Sequence, residues 1–261
     1  MANRKNYSDD TRPEEAGGFT IEGRHAVLEA LRSRRTIDKV YTLFGSQDAS
    51  LAQIRDMARS AGIAVSECDR RRLDAMSVTG AHQGVIALAA AHEYAALDDI
   101  IGRSLNSGEP ALIVICDGIN DPHNLGAIIR TAGAAGAHGV IIPRHRSVGL
   151  TAVVAKAAAG ALEHVPVARV TNIVTAMEKL KNSGVWIYGT ADSAAASVYD
   201  TDLRGGAVIV IGSEGEGITR LVSENCDFMI KIPMCGEIAS LNASNAAAVV
   251  LFEAFRQRNT K

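Results

Sequence analysis

The chain has 261 residues, 47% hydrophobic and 21% charged, with a formal net charge of −2. Such numbers fit a globular protein of one or two domains with an ample core, and no apolar run is long enough to span a bilayer. The near-neutral charge gives no global nucleic-acid signal, and 4% aromatic content is low for a sheet that binds RNA by base stacking. Four scattered cysteines (Cys68, Cys116, Cys226 and Cys235) form no CxxC pair, which argues against a disulfide scaffold or a zinc site. No metal, no membrane and a cytoplasmic setting are the expectations.

Residues 1–18 are polar and mixed in charge, lack the apolar core of a secretory signal, and read as a disordered tail. Residues 19–92 alternate helix and strand. Helical spacing covers 23–31 and 49–61, the second stopping at Gly62, and strands are expected at 39–44, 63–66 and 84–90. Arg32, Arg34 and Arg35 form one basic run, Arg70, Arg71 and Arg72 a second, and Arg144, His145 and Arg146 a third. A short basic run is usually a solvated face, but three make an RNA-binding surface plausible, with Arg32, Arg34, Arg35, Arg144 and Arg146 as its candidates. Residues 93–110 carry charge, Gly and Asn with weaker periodicity and read as a linker.

From 111 onward apolar strand-like runs alternate with helical ones. Strands are expected at 111–116, 139–142, 185–188, 207–211 and 228–232, and helices at 125–135, 152–161, 175–182 and 243–256. This alternation implies a parallel sheet covered on both faces. The last helix, small and apolar all round, is expected to be deeply buried.

Three strand-to-helix turns in this half carry polar residues where open α/β sheets bind ligands. The first is residues 117–130 (DGINDPHNLGAIIR). Asn124 stands before the helical run as a candidate N-cap, Gly126 implies a close approach of backbone or ligand, and Arg130 lies among small and apolar residues. A guanidinium there needs an acidic partner or a polar cavity. The second is residues 212–217 (GSEGEG). Its two carboxylates, Glu214 and Glu216, would repel a pyrophosphate, so it suits a ligand without phosphate, such as cationic S-adenosylmethionine. One glutamate pairing with Arg130 or Asn124 fits no worse. The third joins Ile232 and Pro233 to Ser240, Leu241, Asn242 and Ser244. Ser240 is the expected cap of the last helix, and one cap leaves the other polar residues for a ligand or a subunit boundary.

In order and spacing these turns resemble the signature motifs of the SPOUT-class RNA ribose 2′-O-methyltransferases. Residues 22–27 (EGRHAV) and 82–85 (HQGV) are similar to the ends of the ribosomal-protein-like RNA-binding domain of the 23S rRNA guanosine-2′-O-methyltransferases (RlmB type) in the TrmH family. The resemblance implies a small N-terminal α/β RNA-binding domain over 19–92 and a SPOUT domain over 111–261 with a deep trefoil knot. It further implies S-adenosylmethionine as methyl donor, a homodimer whose active site draws on both subunits, and a guanosine of 23S rRNA as target. Asn124, Arg130, Glu214, Ser240 and Asn242 then match the catalytic set, and Gly212, Glu216, Ile232 and Leu241 the donor site. A tRNA or another rRNA nucleotide is the alternative target. A non-catalytic RNA-binding ribosome-assembly factor is the alternative class, against which the intact polar set argues, and a dehydrogenase is disfavoured by the acidic turn.

Overall fold

Side-chain caps and tight glycines place the elements. The computed structural model describes residues 20–33, 35–235 and 240–260 and divides into two compact units, with the break after Ala90. In the first unit, β1 (Thr20–Glu22), α1 (Arg24–Arg32), β2 (Ile37–Leu43), α2 (Ala49–Ser60), β3 (Ala64–Cys68), α3 (Arg70–Met76) and β4 (Val85–Ala89) follow in order. Asp48 starts α2 by accepting from the Ser50 and Leu51 amides, and Asp69 starts α3 by accepting from that of Arg72. The sheet order is β1-β4-β2-β3, with β2 and β3 parallel and the other pairs antiparallel. Side chains alternate across it. Val40, Val85 and Ala87 meet Val27, Leu51 and Ile54 of α1 and α2, whereas Tyr41 and Ile86 meet Leu73 of α3. The helix α3 escapes the sequence pattern because, of its seven residues, Leu73 alone is buried.

The second unit contains α4 (Leu97–Asn106), β5 (Leu112–Asp117), α5 (Pro122–Ala134), β6 (Gly139–Pro143), α6 (Ala152–Ala158), β7 (Val167–Val170), α7 (Ile173–Lys181), β8 (Trp186–Thr190), β9 (Ala196–Ser197), β10 (Ala207–Gly212), α8 (Arg220–Glu224), β11 (Phe228–Lys231) and α9 (Ala243–Asn259). The seven strands run parallel in the order β7-β6-β5-β10-β8-β11-β9. Every residue of β5 is buried, as a strand covered on both faces requires. The stretch read as a linker contains α4, whose Ile100 packs fully buried with Ile113 and Ile141. Gly139 makes room for it, since a Cβ there would lie 2.7 Å from the Ile100 side chain.

The expected all-round burial of the last helix is corrected. Ala247, Val250, Leu251 and Ala254 are buried, but Phe252 and Phe255 are 46% and 41% exposed, their rings 6.0 Å apart. A helix apolar on every side has only one side covered by its own chain. Its C-terminal turn is anchored by Arg258, which donates to the carbonyls of Leu203 (2.9 Å), Gly205 (2.6 Å), Pro110 (2.9 Å) and Ala111 (3.1 Å). This guanidinium ties the segments leading into β5 and β10, and its pKa is drawn down by burial. Arg258→Met is expected to destabilise the fold by about 3 kcal/mol, the cost of losing charge-assisted bonds to partly buried carbonyls. Thermal melting should then fall by about 6–12 °C, and an unchanged midpoint would show that the four bonds carry no net stability.

Candidate active site

The sheet order changes direction at one place. From β5 the chain builds outward through β6 and β7, then crosses to β8, and β10 later inserts between β5 and β8. The carboxyl ends of β5 and β10 therefore flank a topological switch point, where open α/β sheets leave a crevice.

At the end of β5, Asp117 is buried and its Oδ2 accepts from both the amide and the hydroxyl of Thr219, each at 2.7 Å. That carboxylate ties the turn after β5 to the start of α8. Gly118 turns the chain at φ 77°, and Asp121 caps α5 by accepting from the His123 and Asn124 amides, with Pro122 in the first helical position. Asn124 is thus not the cap that the sequence reading expects. Asp121 takes that role, which leaves the Asn124 side chain, on a residue only 9% exposed, free to reach across the site. Gly126 serves backbone packing: a Cβ there would lie 2.4 Å from Cβ of Ala157 on α6.

Beyond β10 the chain folds back at once. Ser213 and Gly217 exchange amide-to-carbonyl hydrogen bonds of 3.0 and 2.9 Å, and Gly215 and Gly217 take φ of 86° and 67°. The hairpin leaves no room at Gly212, where a Cβ would stand 2.1 Å from the Gly217 carbonyl carbon. It projects Glu214 and Glu216 from an otherwise small-residue loop, both of them exposed.

The third turn ends at Asn242, which caps α9 through Oδ1, accepting from the amides of Ser244 (2.9 Å) and Asn245 (3.3 Å) and from the Ser244 hydroxyl (2.6 Å). Ser240, expected as the cap, lies two residues upstream and lines the cleft instead. With its oxygen committed to the helix, Asn242 turns Nδ2 to Oδ1 of Asn124 (2.9 Å) and to Oε1 of Glu214. Asn124 Nδ2 donates to the same Glu214 oxygen at 2.9 Å, and the Ala243 amide at 3.4 Å. One residue from each motif thus closes a hydrogen-bonded triangle, with a single carboxylate oxygen at the focus of three donors. Such charge-assisted bonds fix the relative positions of three turns that lie far apart in sequence.

Beside the triangle opens a cleft of about 720 Å3, lined by Gly212, Glu214, Glu216, Ile232, Ser240 and Leu241 among others. Its size falls in the range of about 300–1,000 Å3 usual for small-molecule sites. Apolar walls from Ile218, Ile232 and Leu241 beside the exposed carboxylates of Asp192, Glu214 and Glu216 match a ligand with a flat apolar body and a positive charge. The four expected donor-site residues all line this one cleft. Among the described residues no His, Cys, Asp and Glu cluster is placed to hold a metal ion, and no helix is long and apolar enough to cross a membrane.

Arg130 does not join the triangle. It is exposed on α5, and among the described residues no hydrogen bond or ion pair engages it, so it has neither the acidic partner nor the polar cavity expected of it. Arg144 and Arg146 stand in the loop after β6, which is pinned to the first turn. Ser147 Oγ and the Val148 amide both donate to the Ile119 carbonyl, at 3.0 and 2.9 Å, and Arg146 sits at φ 60°. Arg32 and Arg35 belong to the first unit, Arg32 paired with Glu29 at 2.7 Å, and Arg34 lies outside the described residues. Cys116 is fully buried beside Asp117, and its thiol is pushed up to about 12, chiefly by burial, which leaves an inert core residue. Sequence reasoning missed the roles of Asp121, Asp117 and Thr219. An Asp-Pro pair ahead of a helical run is a cap followed by its preferred first residue and points to Asp121, but no local pattern announces the tie from Asp117 to Thr219.

The model of the SpoU rRNA methylase family matches residues 111–252, and that of an RNA 2′-O ribose methyltransferase substrate-binding domain matches residues 20–95. A Bacillus subtilis protein named as a TrmH family tRNA/rRNA methyltransferase, YacO, is 47% identical over 239 residues, covering 92% of this chain and 96% of its own. A relative of the same description from Staphylococcus saprophyticus is 45% identical over 241 residues, again 92% and 96%. Among solved structures, the SpoU methyltransferase AviRb of Streptomyces viridochromogenes, in complex with the cofactor AdoMet, superposes with a TM-score of 0.59 at 25% identity over 96% of this chain and 94% of that one. The A. aeolicus TrmH/SpoU tRNA-modifying enzyme reaches 0.53 at 30% identity, covering 62% of this chain and 82% of its own. With both units matched, and with a triangle that joins three motifs beside one cleft, the chain belongs to the SpoU rRNA methylase family and is a methyltransferase of the TrmH type.

Proposed function

We propose that the protein transfers a methyl group from S-adenosylmethionine to the ribose 2′-hydroxyl of a guanosine in 23S rRNA, in the cytoplasm. The observation that carries this reading is the Asn124–Glu214–Asn242 triangle at the edge of a cleft whose walls suit a cationic nucleoside. The first unit favours rRNA over tRNA. The tRNA-modifying enzyme of A. aeolicus and a structure titled for 2-OH methylation of C/U34 on tRNA cover only 62% and 57% of this chain, whereas the substrate-binding match fills residues 20–95. A tRNA target is the second reading, favoured by the tRNA/rRNA names of the relatives.

Bound in the cleft, S-adenosylmethionine supplies an electrophilic methyl group on a positively charged sulfur. The backbone at Gly212, Ile232 and Leu241 would hold the adenosine, and Glu216 would face the positive charge. Asn124, Glu214, Ser240 and Asn242 fix the mouth of the cleft and would position the ribose 2′-hydroxyl for transfer, its proton passing to solvent water; alignment is their main contribution. Arg144 and Arg146, held against the first turn, take the flanking phosphates. A deep trefoil knot in the second unit is part of this reading. Insertion of β10 beside β5, and the return of α9 onto both β10 and α5, support that threading.

Arg130 acts across a subunit boundary. The helices α5 and α9 pack on each other, and Arg130 on one and Phe252 and Phe255 on the other are exposed. A second copy covers the exposed rings of α9 and receives Arg130 at its own site, where the guanidinium stabilises the developing alkoxide or holds a phosphate. Arg130→Ala should therefore lower the single-turnover methyl-transfer rate at saturating 23S rRNA about a hundredfold. An unchanged rate would remove Arg130 from the chemistry. Mixing refolded Arg130→Ala and Asn242→Asp chains should restore about a quarter of wild-type activity if each site draws on two subunits. No recovery in mixed dimers would place both residues in one subunit's site.

A further inference from the structure

All four strands of the first unit bring one end to a common rim. Glu22 pairs with Ile86, Thr42 with Val85 and Leu43 with Cys68, so the C-terminal ends of β1, β2 and β3 and the N-terminal end of β4 lie side by side. Arg32 and Arg35 are at the opposite end, where Ile37 pairs with Ala89. The three helices of the unit all start at the rim.

The rim is built rigidly from the residues singled out in sequence. His82, buried, accepts from the Gly84 amide through Nδ1 (3.0 Å) and meets Asp74 through Nε2 (2.9 Å). Gln83 is held at φ 51°, a conformation a side chain seldom adopts, and its side-chain oxygen accepts from the Arg24 amide at 3.3 Å. Arg24 donates Nε to the Gln83 carbonyl (3.1 Å) and a terminal nitrogen to Asp48 (2.6 Å). Glu22 accepts from the hydroxyls of Ser77 and Thr79 and the amide of Val78. Burial pushes this carboxyl up, yet these hydrogen bonds outweigh it and hold it below its ordinary range.

On this frame stands Phe44, 73% exposed, just past β2 with its amide bonded to the Cys68 carbonyl at 2.8 Å. It is one of two aromatic residues in the described part of the unit, and the other, Tyr41, is 5% exposed. Two residues beyond Cys68, α3 opens with Arg70 and Arg71, both exposed. The rim's carboxylates are already committed. Asp48 and Asp69 cap helices, Asp48 also pairs with Arg24, Asp74 with His82 at 2.9 Å and more loosely with Arg70 at 3.9 Å, and Glu67 with Arg55, so that Arg71 is the freer of the two guanidiniums. An aromatic ring presented to solvent beside guanidiniums, on a unit matched to a substrate-binding domain, is the pattern that grips single-stranded RNA: stacking for an unpaired base, charge for the phosphates.

We infer that this rim is the surface by which the first unit holds a single-stranded segment of the RNA substrate, with Phe44 stacked on an unpaired base and Arg70 and Arg71 on its flanking phosphates. The inference rests on the proposed RNA methylation and assigns the binding face to the end opposite Arg32 and Arg35.

The test uses the full-length chain and an in vitro transcript of 23S rRNA. Phe44→Ala should weaken the transcript's binding about five- to 150-fold, the usual effect of removing one base-stacking aromatic. Phe44→Trp should restore it, and a Trp186→Phe background leaves its indole as the sole tryptophan fluorophore, quenched on binding. Arg71→Ala should reduce the salt dependence of log K by about one. Wild-type affinity in Phe44→Ala, with an unchanged melting curve, overturns the inference while the methylation reading stands. A wild-type protein that methylates no RNA removes both.

Discussion

Asn242→Asp is expected to lower single-turnover methyl transfer about a hundredfold, the scale of loss from small misplacements of reacting groups, while the protein melts within a few degrees of wild type. Aspartate keeps the oxygen that caps α9, so the helix retains its start. What changes is the other half of the side chain. The amide nitrogen that bonds Asn124 and Glu214 becomes an oxygen, and a second carboxylate then faces the Glu214 carboxylate across a hydrogen-bond distance. Two like charges about 4 Å apart near a protein surface repel by about 4 kcal/mol, which the exposed loop bearing Glu214 relieves by moving away. The three turns then no longer share one geometry. Asn242→Ala removes the same donor and also the cap, so it should lose comparable activity with about 1 kcal/mol of additional instability. Comparing the two separates positioning from helix stability, and a wild-type rate in Asn242→Asp would show that the triangle plays no part in transfer.

Gly212→Ala carries the second large effect. Its added methyl would lie 2.1 Å from the Gly217 carbonyl carbon and 2.3 Å from the Ile218 nitrogen, both backbone atoms. A flexible side chain yields to such a clash, but a hairpin closed by two backbone hydrogen bonds must open. Strain of this kind costs about 1–3 kcal/mol or more. The opening also displaces Glu214 and Glu216, which line the cleft. Calorimetric titration with S-adenosylmethionine should show affinity reduced about tenfold or more, on the scale of one to two lost contacts. Gly205→Ala is the matched control, because nothing lies within 4 Å of its added methyl. Equal affinity in the two variants would mean that the hairpin is no part of the donor site.

The layered pattern of the second unit is legible in the sequence because its strands are buried on both faces. Residues 111–116 and 207–211 read as unbroken apolar runs, and they fall on β5 and β10. Their adjacency is not legible. That β10 lies between β5 and β8 is a tertiary choice, made by packing of faces that are equally apolar, and it alone brings residues 117–124 beside 213–219. The site residues were legible as a set but not in their local roles. Asn124 and Ser240 were read as caps because each precedes a helical run, yet Asp121 and Asn242 hold those positions. Where several short polar side chains stand within one turn of a helix start, any of them can accept from the first free amides. The backbone decides, and Pro122 fixes the decision at α5.

The same limit explains α9 and Arg130. Hydropathy states that a helix is apolar all round but not what covers it, so Phe252 and Phe255 were expected inside and are found on the surface. Arg130, among apolar neighbours in sequence, calls for an acidic partner or a polar cavity, but its exposed position on α5 gives it solvent instead. Both outcomes leave exposed groups on α5 and α9, the helices assigned above to contact with a second copy. In the first unit, Arg32 and Arg35 belong to a basic run in sequence, although Arg32 is paired with Glu29 one turn away. Phe44, a single aromatic after a strand, carried no pattern that sequence could rank, and only its 73% exposure marks it.

The most direct measurement is transfer of labelled methyl from S-adenosylmethionine to 23S rRNA lacking the modification, with the product nucleotide identified by mass. The account predicts 2′-O-methylguanosine at a single position, formed about a hundredfold more slowly by Asn242→Asp. Labelling of a base instead of a ribose, or of no RNA by a protein that binds the donor, would contradict it.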